Sequence, residues 1–541
     1  MAKLEFNNES TYKKFLEGGK EAEFDRLFDK AIEEVKKGFG KKYPMYVGGS
    51  EVFSQDLLEE RSPINKDIVI GYFQKGLRSH AREAINAAKN AFRDWAALDY
   101  RKRVEIFKKA AEIFSAEKFT VAAILSYENG KSRYESIGEV DEAIDFLNYY
   151  ANEMYNNKGY LRKAVIRQSS ARVNSGFQGA PGSEEKITIY MKPYGVFGVI
   201  APFNFPISIS VGMSTGALIT GNTVVFKPSS TDNMSMLTGL KIYEIFTRAG
   251  VPKGVFNYVT GPGSEVGDEI VTSDSVSGIV FTGSKSTGLE MVAKTYSSGK
   301  QKVFIVEMGG KNPTIVSKYA DIADAVDGIV SAAFGFAGQK CSALSRVYVN
   351  ESIKEKFISA LMEKTRTLKI GNPLEKENYV GPLISESAYR RYVEYVEKGK
   401  AAGNLIYGGK RADVGLNGFY VEPTILEIKH ENEIMHKELF VPILAIDYYK
   451  DFDDALYKAN DVEYGLTAGL YSKNKKEIGK FIDSIEAGVV YVNRRISATT
   501  GAIVGAHTFV GWKGSGLTGK GTGSRNYLQQ FLREQSVAVV K

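Results

Sequence analysis

The sequence predicts an α/β fold with two parallel sheets, each flanked by helices, and a small β arm. Three observations predict it. Strand-like and helix-like segments alternate twice along the chain, first from 186 and again from about 303 to 495. The repeats have the length of right-handed crossovers, which make the paired strands parallel. A segment over 160–185 is rich in Ser, Gly and Gln, which is typical of an exposed arm.

The length and charge of the chain exclude several classes of protein. With 541 residues the chain has room for several folding units, at roughly 100–200 residues each. The net charge is only +7, from 71 basic against 64 acidic residues, and no long basic run occurs, so we do not expect a nucleic-acid partner. The N-terminal residues MAKLEFNNES lack the apolar stretch of a signal peptide, which predicts a cytoplasmic protein.

One uncharged stretch, between Lys192 and Lys227, could be mistaken for a membrane span. It contains three prolines, two asparagines and no run of 18 apolar residues, so we expect a buried core region and no membrane association.

Helical periodicity comes first along the chain. It predicts helices over 20–37, 79–95, 102–128 and 135–156. The first sheet then follows from apolar segments, with strands over 195–201, 223–227, 254–259 and 278–281 and helices over 207–220 and 232–249. This alternation is the layout of dinucleotide-binding domains.

A second set of strand and helix units completes the predicted fold. Its strand candidates are 303–306, 314–316, 346–350, 443–447 and 488–492. The last 17 residues, RNYLQQFLREQSVAVVK, are strand-like, and we expect this tail to dock on another domain or subunit.

Cys341 is the only cysteine, and it lies among small residues in FGFAGQKCSALSR. A thiolate nucleophile needs an accessible sulfur and a nearby cation or helix N-terminus, which this segment offers through Lys340 and its turn. A free cysteine is as often a small buried hydrophobe. No group of cysteine and the four histidines has metal-ligand spacing, so we expect no metal.

Two polar residues stand beside apolar segments. Glu307 ends a strand in VEMGGKNP, where burial would raise its pKa and make it a usable base near neutral pH. The alternative is a surface carboxylate at the end of a strand. Asn204 lies in APFNFP, where its amide could donate to an oxyanion or could serve as an ordinary turn residue.

Strand ends and glycine-rich turns suggest a ligand at the edge of the first sheet. Lys227 ends a strand in FKPSS and could hold a ribose or a phosphate, or could be a solvated lysine. The turns GPGSEVG and FTGSKSTG connect strands to helices and could seat a pyrophosphate, but neither matches GxGxxG.

Six motifs in order, APFNFP, FKPSS, FTGS, VEMGGK, GQKCS and KELFVP, resemble the aldehyde dehydrogenase superfamily over roughly residues 40–541. The resemblance implies a Rossmann-type cofactor domain, a catalytic domain and a small β oligomerisation arm. It implies that Cys341 is the nucleophile, Glu307 the base and Asn204 the oxyanion donor. It also implies oxidation of an aldehyde to a carboxylate through a cysteine thiohemiacetal and thioester, with NAD or NADP as the cofactor.

The same resemblance assigns the cofactor residues and the domain boundaries. The implied cofactor contacts are Ile200, Pro202, Lys227, Ser230, Gly263, Gly267, Gly283, Ser284, Glu438 and Phe440. NAD-preferring relatives often have a carboxylate where this chain has Ser230, so we expect NADP to be tolerated. The expected units are 1–158 (helices and first part of the cofactor domain), 159–185 (arm), 186–306 (cofactor domain), 307–500 (catalytic domain) and 501–541 (anchoring loop and tail).

Three further segments resemble one branch of the family, the 1-pyrroline-5-carboxylate dehydrogenases, which oxidise glutamate γ-semialdehyde to glutamate in proline catabolism. They are GFAGQKCSALSR, GEVDEAIDFLNYYA and YVNRRISATTGAIVGAHTF. The branch binds the substrate's α-carboxylate in a loop, which implies that Gly501 and Ala502 donate N–H groups, Ser342 contacts the carboxylate and Phe509 walls the pocket. The resemblance further implies a homo-oligomer.

Two departures keep alternatives open. Val441 and Val510 stand where the family usually has glycine. The alternatives are a dehydrogenase of another semialdehyde, such as succinate semialdehyde, a CoA-acylating enzyme, which Glu307 disfavours, and a catalytically retired member that acts as a binding protein.

Overall fold

The computed structural model describes residues 10–160, 166–169, 184–230 and 235–540. Much of the expected arm, and the start of the helix expected over 232–249, therefore lie outside the described residues. Two seven-stranded sheets form the body of the molecule. No helix among the described residues has both the length and the apolar character to cross a bilayer.

The first sheet contains five parallel strands extended by an antiparallel hairpin. Its strands, in spatial order, are Val303–Glu307, Val276–Thr282, Val196–Ile200, Thr223–Lys227, Phe256–Tyr258, Met45–Val47 and Ser50–Val52. One expectation was wrong: the strand expected over 303–306 belongs to the first sheet and does not begin the second unit. It pairs with Val276–Thr282, with Gly278 opposite Val303 and Thr282 opposite Glu307. Apolar pattern marks a buried strand but does not specify its partner.

Helices cover this sheet, and the predicted ones are present. They are Ser10–Glu17, Glu21–Lys36, Arg78–Ala97, Tyr100–Ala116, Lys118–Asn129, Arg133–Asn156, Ser208–Ile219, Met236–Ala249, Asp268–Thr272 and Lys285–Ser297, with short turns at Lys158–Tyr160 and Gly263–Gly267. The single helix expected over 102–128 is two helices, because Glu117 leaves helical geometry at φ −104° and ψ 11°. Apolar periodicity continues across that break, so the sequence pattern does not reveal it.

The second sheet is parallel apart from one edge strand. Its strands, in spatial order, are Asn404–Tyr407, Thr424–Glu427, Ile443–Tyr449, Leu344–Asn350, Asn312–Val316, Thr467–Tyr471 and Val489–Val492. Its helices and helical turns are Ile322–Phe334, Gly335–Gly338, Glu351–Ile353, Lys354–Arg366, Glu386–Ala402, Glu433–Met435, Phe452–Asn460 and Lys475–Ser484. The strands at 404–407, 424–427 and 467–471 were not anticipated.

Three smaller sheets complete the fold. The tail forms Leu532–Val540, after the turn Leu528–Phe531, and pairs antiparallel with Glu184–Pro193, which also pairs with Ile166–Ser169. The remaining strands are Lys41–Tyr43, Val69–Gln74 and Leu57–Arg61 in one sheet and Tyr464–Gly465 with Trp512–Lys513 in another. Tyr527, Leu528 and Phe531 of the last segment belong to the core under the first sheet.

Candidate active site

A cavity of about 990 Å³ opens at the carboxyl ends of the strands of the first sheet. The strand register brings Ile200 beside Lys227 and Thr282 beside Glu307, so one edge of the sheet carries several predicted site residues. In an open parallel sheet this edge is where ligands bind. The cavity is lined by Cys341, Glu307, Asn204, Glu438 and Phe440, together with Ile200, Pro202, Lys227, Gly263, Gly267, Gly283 and Ser284.

Cys341 reaches the cavity from a strained turn. Phe336 and Ala337 both have positive φ, 51° and 50°, which costs about 1–3 kcal/mol per residue and persists only where the surroundings enforce it. Asn312 fixes the backbone at and after the cysteine, since its Nδ2 donates to the carbonyl oxygens of Cys341 and Ala343 at 2.8 and 2.9 Å. These contacts hold the backbone on both sides of the sulfur.

The Cys341 thiol is strongly protonated in this environment. Burial, and then the charges of Glu438 and Glu307, raise the pKa of Cys341 to about 12. A thiolate therefore forms here only when something in the cavity stabilises negative charge.

Glu307 is a buried carboxyl at the end of its strand. Burial raises the pKa of Glu307 well above its ordinary value, while a hydrogen bond from the Gly511 backbone opposes the shift. Oε2 of this side chain has no hydrogen-bond partner. The neighbouring backbone is fixed, because the N–H of Met308 donates to the carbonyl oxygen of Ser515 at 2.9 Å. A buried carboxyl with a free oxygen can accept a proton from water.

Asn204 is buried, with 3% of its surface exposed, and its amide is directed at the cysteine loop. Its Nδ2 donates to the carbonyl oxygen of Gln339 at 3.2 Å. Gln339 is itself held, because its side chain donates to Phe336 and accepts from the N–H of Ile384 at 2.9 Å. The amide donor is thus next to the residues that precede the thiol.

Glu438 faces the turn that follows Glu307. Its Oε1 accepts from the N–H of Gly310 at 2.9 Å, and burial raises the pKa of Glu438 to about 7. Phe440 has a positive φ of 58°, and its ring contacts that of Phe203, with 5.9 Å between centroids. Both side chains line the cavity.

The cavity has features that fit a dinucleotide. Gly263 and Gly267 face open space, whereas a Cβ on Gly283 would meet the ring of Phe281 at 2.4 Å. Ser284 caps the helix Lys285–Ser297 by accepting from the Thr287 N–H, so a helix N-terminus lies at the cavity wall. These are the features that seat phosphate oxygens.

Lys227 and Ser230 differ in their access to the cavity. The ammonium of Lys227 is buried, and burial lowers the pKa of Lys227 to about 8. It donates to Ser230 Oγ at 3.1 Å, and the Ser230 hydroxyl donates to the Gly261 carbonyl oxygen. Ser229, rather than Ser230, is among the residues that line the cavity. Sequence reasoning did not identify Ser229.

The four residues expected to bind the substrate lie outside the lining of this cavity. The loop that carries Gly501 is tied to Ser342, because the Thr499 hydroxyl donates to the Ser342 carbonyl oxygen at 2.7 Å. Gly501 has φ 79° and is exposed, while Ala502 is half-buried. Phe509 pairs with Thr522 through two backbone hydrogen bonds.

Arg494 holds the same loop and was missed by sequence reasoning. Its Nη1 and Nη2 donate to the carbonyl oxygens of Thr500 and Gly501 at 2.8 and 2.7 Å. The only signal in the sequence was the pair of arginines in YVNRRIS. A fixed guanidinium fork sets the direction of successive peptide groups in the loop.

Two further findings concern residues outside the cavity. The departures Val441 and Val510 are buried at 5% and 7% exposure and neither lines the cavity.

His430, His436 and Asp461 come together on the second sheet, which their spacing in the sequence did not predict. Both ring nitrogens of His430 form hydrogen bonds, one with Tyr348 and one with Asp461, and Nε2 of His436 bonds to the His430 carbonyl oxygen.

Comparison with known proteins shows the family of this chain. Residues 52–537 match the model of the aldehyde dehydrogenase family. 1-Pyrroline-5-carboxylate dehydrogenase 1 of Halalkalibacterium halodurans is 36% identical over 519 residues, which are 95% of this chain and 96% of that protein. The corresponding enzyme of Anoxybacillus flavithermus is 36% identical over 518 residues, again 95% and 96% of the two chains. The solved structure of 1-pyrroline-5-carboxylate dehydrogenase from Thermus with bound NAD has a TM-score of 0.86 and 35% identity, covering 95% of this chain and 96% of its own.

Proposed function

Because this chain belongs to the aldehyde dehydrogenase family, we propose that it oxidises L-glutamate γ-semialdehyde, in equilibrium with 1-pyrroline-5-carboxylate, to L-glutamate in proline catabolism. The observation that carries the proposal is one cavity lined by a thiol, a buried carboxyl and a buried amide, Cys341, Glu307 and Asn204. Relatives that bear this activity in their names align over nearly the whole chain.

The first chemical step belongs to Cys341. The Cys341 thiol passes its proton to solvent water, and the thiolate attacks the aldehyde carbon and forms a thiohemiacetal. Charge then develops on the former carbonyl oxygen, and the Asn204 amide donates to it, giving up its present bond to Gln339. Because the thiol pKa is high, stabilisation of the oxyanion is what makes the attack productive.

The cofactor is a nicotinamide dinucleotide, whose ring when bound supplies the acceptor for the hydride lost from the aldehyde carbon. Glu438 and Lys227 would hold its ribose hydroxyls, and the Gly283–Ser284 turn its phosphates. The acyl group that remains on Cys341 is a thioester. Glu307 takes a proton from water, the water oxygen attacks the thioester carbon, and the carbon–sulfur bond breaks to release the carboxylic acid. The proton held by Glu307 then returns to the Cys341 thiolate.

NADP should be accepted beside NAD. Neither Ser229 nor Ser230 carries a charge, so neither of these two side chains repels a 2′-phosphate. The buried Lys227 ammonium, 3.1 Å from Ser230 Oγ, adds a positive charge to the same corner. Equal kcat/KM values with both cofactors would support this assignment, and strict use of NAD would contradict it.

The substrate's α-carboxylate would bind at the loop beside Ser342. The N–H groups of Gly501 and Ala502 are the proposed donors, Ser342 a third contact and Phe509 the wall of the pocket. Support comes from the fixed geometry of the loop, which Arg494 and Thr499 hold by hydrogen bonds. Backbone N–H groups with a set direction suit a carboxylate.

We also propose a cytoplasmic homo-oligomer. The strand Glu184–Pro193 lies between the tail and Ile166–Ser169, and this three-stranded sheet is the proposed contact between subunits. A catalytic thiol works in its reduced form, which a reducing compartment maintains. The domain boundaries given from the sequence are part of the same proposal.

The deciding experiment measures nicotinamide reduction by the purified protein with 1-pyrroline-5-carboxylate, succinate semialdehyde and propanal. We expect kcat/KM for 1-pyrroline-5-carboxylate to exceed the others by at least about 100-fold, the ratio expected when a site's polar groups need a partner on the substrate. Preference for another aldehyde would overturn the substrate but leave the roles of Cys341 and Glu307. No turnover of any aldehyde, with a thiol inert to alkylation, would support the retired alternative.

A further inference from the structure

A fully buried ion pair lies behind the two loops of the active site. Lys131 and Glu139 contact each other through Nζ and Oε2, and both side chains are 0% exposed. Neither side chain lines the cavity. Removing two charges from water costs several kcal/mol per ion, and a well-packed apolar pair is often equally stable. The pair therefore calls for an explanation other than stability.

The Lys131 ammonium touches both catalytic loops. Nζ lies 3.5 Å from the ring centroid of Phe205 and 4.9 Å from that of Phe336. Phe205 directly follows Asn204, and Phe336 belongs to the strained turn before Cys341. Cation–π attraction is strongest where water is excluded, as it is here.

Glu139 fixes the other side of the asparagine. Its Oε1 accepts from the backbone N–H groups of Ile207 and Ser208 at 2.8 and 3.2 Å, at the start of the helix Ser208–Ile219. The segment 204–208 is thus held by the lysine through Phe205 and by the glutamate through two N–H groups. The ion pair links these two contacts, with Lys131 just before the helix Arg133–Asn156 and Glu139 within it.

We propose that Lys131, anchored by Glu139, is a positioning residue that sets the Asn204 amide relative to the Cys341 sulfur by binding the Phe205 and Phe336 rings at once. It touches neither substrate nor cofactor and acts only through the two loops. The inference rests on the proposed oxyanion role of Asn204. It does not depend on which aldehyde is the substrate.

The test is a double-mutant cycle between residues 131 and 204, measured on the full-length enzyme with 1-pyrroline-5-carboxylate and with propanal. Lys131→Met should lower kcat/KM about 100-fold for both aldehydes, the cost expected of a misplacement near 1 Å. Its Kd for NAD, followed by fluorescence, should stay within about twofold, because the lysine lies outside the cavity. In an Asn204→Ala background the same change should cost less than about threefold, since the group being positioned is gone.

Lys118→Met is the matched control. Lys118 pairs at 3.1 Å with Asp141, which lies on the helix Arg133–Asn156 as Glu139 does. Lys118 faces Thr11 and the N-terminal helix Ser10–Glu17, away from the catalytic loops. Its loss should lower thermal stability and leave kcat/KM unchanged in both backgrounds.

Two further variants test the proposal without leaving a buried, unpaired glutamate that could cause misfolding. Lys131→Met combined with Glu139→Gln leaves no lone buried charge, and Phe205→Leu removes one ring while keeping the ion pair. Both should show the same non-additivity with Asn204→Ala. Equal losses with and without Asn204 would overturn the positioning role, whereas full activity of Asn204→Ala alone would overturn the oxyanion assignment instead.

Discussion

A side chain at position 309 would overlap the carboxylate of Glu438, since a Cβ built on Gly309 lies 2.5 Å from Oε2 of that glutamate. Gly309 also has φ 74°, and the next residue, Gly310, donates its N–H to Glu438 Oε1. The absence of a side chain in VEMGGK is therefore what lets the carboxylate reach the cavity wall.

Gly309→Ala should displace Glu438 and weaken cofactor binding. We expect the Kd for NAD to rise by at least about tenfold and stability to fall by about 1–3 kcal/mol, the cost of a strained φ. Calorimetric titration and thermal unfolding measure the two effects. Gly479→Ala, in the helix Lys475–Ser484 with open space around it, is the control: it should leave the Kd unchanged and raise stability by about 0.5–1 kcal/mol. An unchanged Kd in the Gly309 variant would show that the Glu438 carboxylate does not hold the cofactor.

Alkylation of Cys341 should rise steeply with pH. The raised pKa, about 12, means that the thiolate fraction of the free enzyme grows about tenfold per pH unit across pH 7–9. Iodoacetamide kinetics at several pH values measure this, with glutathione as a reference that levels off near its own pKa. Glu438→Gln should increase the alkylation rate at pH 9, because it removes the carboxylate whose charge raises the thiol pKa more than that of Glu307. A plateau near pH 7 would mean that the thiol is already activated in the free enzyme.

Much of this arrangement follows from the sequence, and the reasons differ between fold and site. Continuous apolar runs flanked by helical periodicity identify parallel strands, as with Thr223–Lys227. Cys341, Glu307 and Asn204 are singled out as candidates by their ordered motifs. The cavity brings all three together.

The sequence pattern could not show which strands pair with each other or which distant loops a charged side chain contacts. Val303–Glu307 reads as a buried strand in either sheet, and only packing assigns it to the first. The roles of Arg494 and Lys131 depend on contacts with loops distant in sequence, Arg494 with Gly501 and Lys131 with Phe336. Charged residues without a motif give no local sign of such contacts.

Glu307→Gln should separate acylation from hydrolysis. The amide cannot take a proton from water, so we expect one equivalent of reduced cofactor in a rapid burst and steady turnover lower by about 10²–10⁴-fold. Stopped-flow absorbance records the burst, and mass spectrometry of the quenched enzyme identifies the acyl group on Cys341. In the wild type, kcat should fall as pH is lowered, and the fall should begin well above the ordinary pH range of a carboxyl, since Glu307 must be deprotonated and its pKa is raised. Loss of the burst itself would give Glu307 a role in the first step.

Arg494→Met should impair recognition of the carboxylate substrate alone. Without the guanidinium hydrogen bonds to the carbonyl oxygens of Thr500 and Gly501, we expect KM for 1-pyrroline-5-carboxylate to rise about tenfold or more. This rise corresponds to a loss of about 1.4 kcal/mol or more of binding free energy. The kcat/KM for propanal should stay the same, because propanal has no carboxylate. Arg495→Met is the neighbouring control, since Arg495 pairs with Asp327 and is 68% exposed. A parallel loss with propanal would show that Arg494 stabilises the active site in general.

The strand Leu532–Val540 is synthesised long after its partner Glu184–Pro193 has left the ribosome. Phe531 and Tyr527 pack on the face of Gly216, so the first core also stays open until this late segment has been made. At about 5–20 residues per second, the ribosome spends many seconds on the second sheet while an unpaired strand edge and apolar surface are exposed. The domain built first is thus completed only after the second sheet has been synthesised.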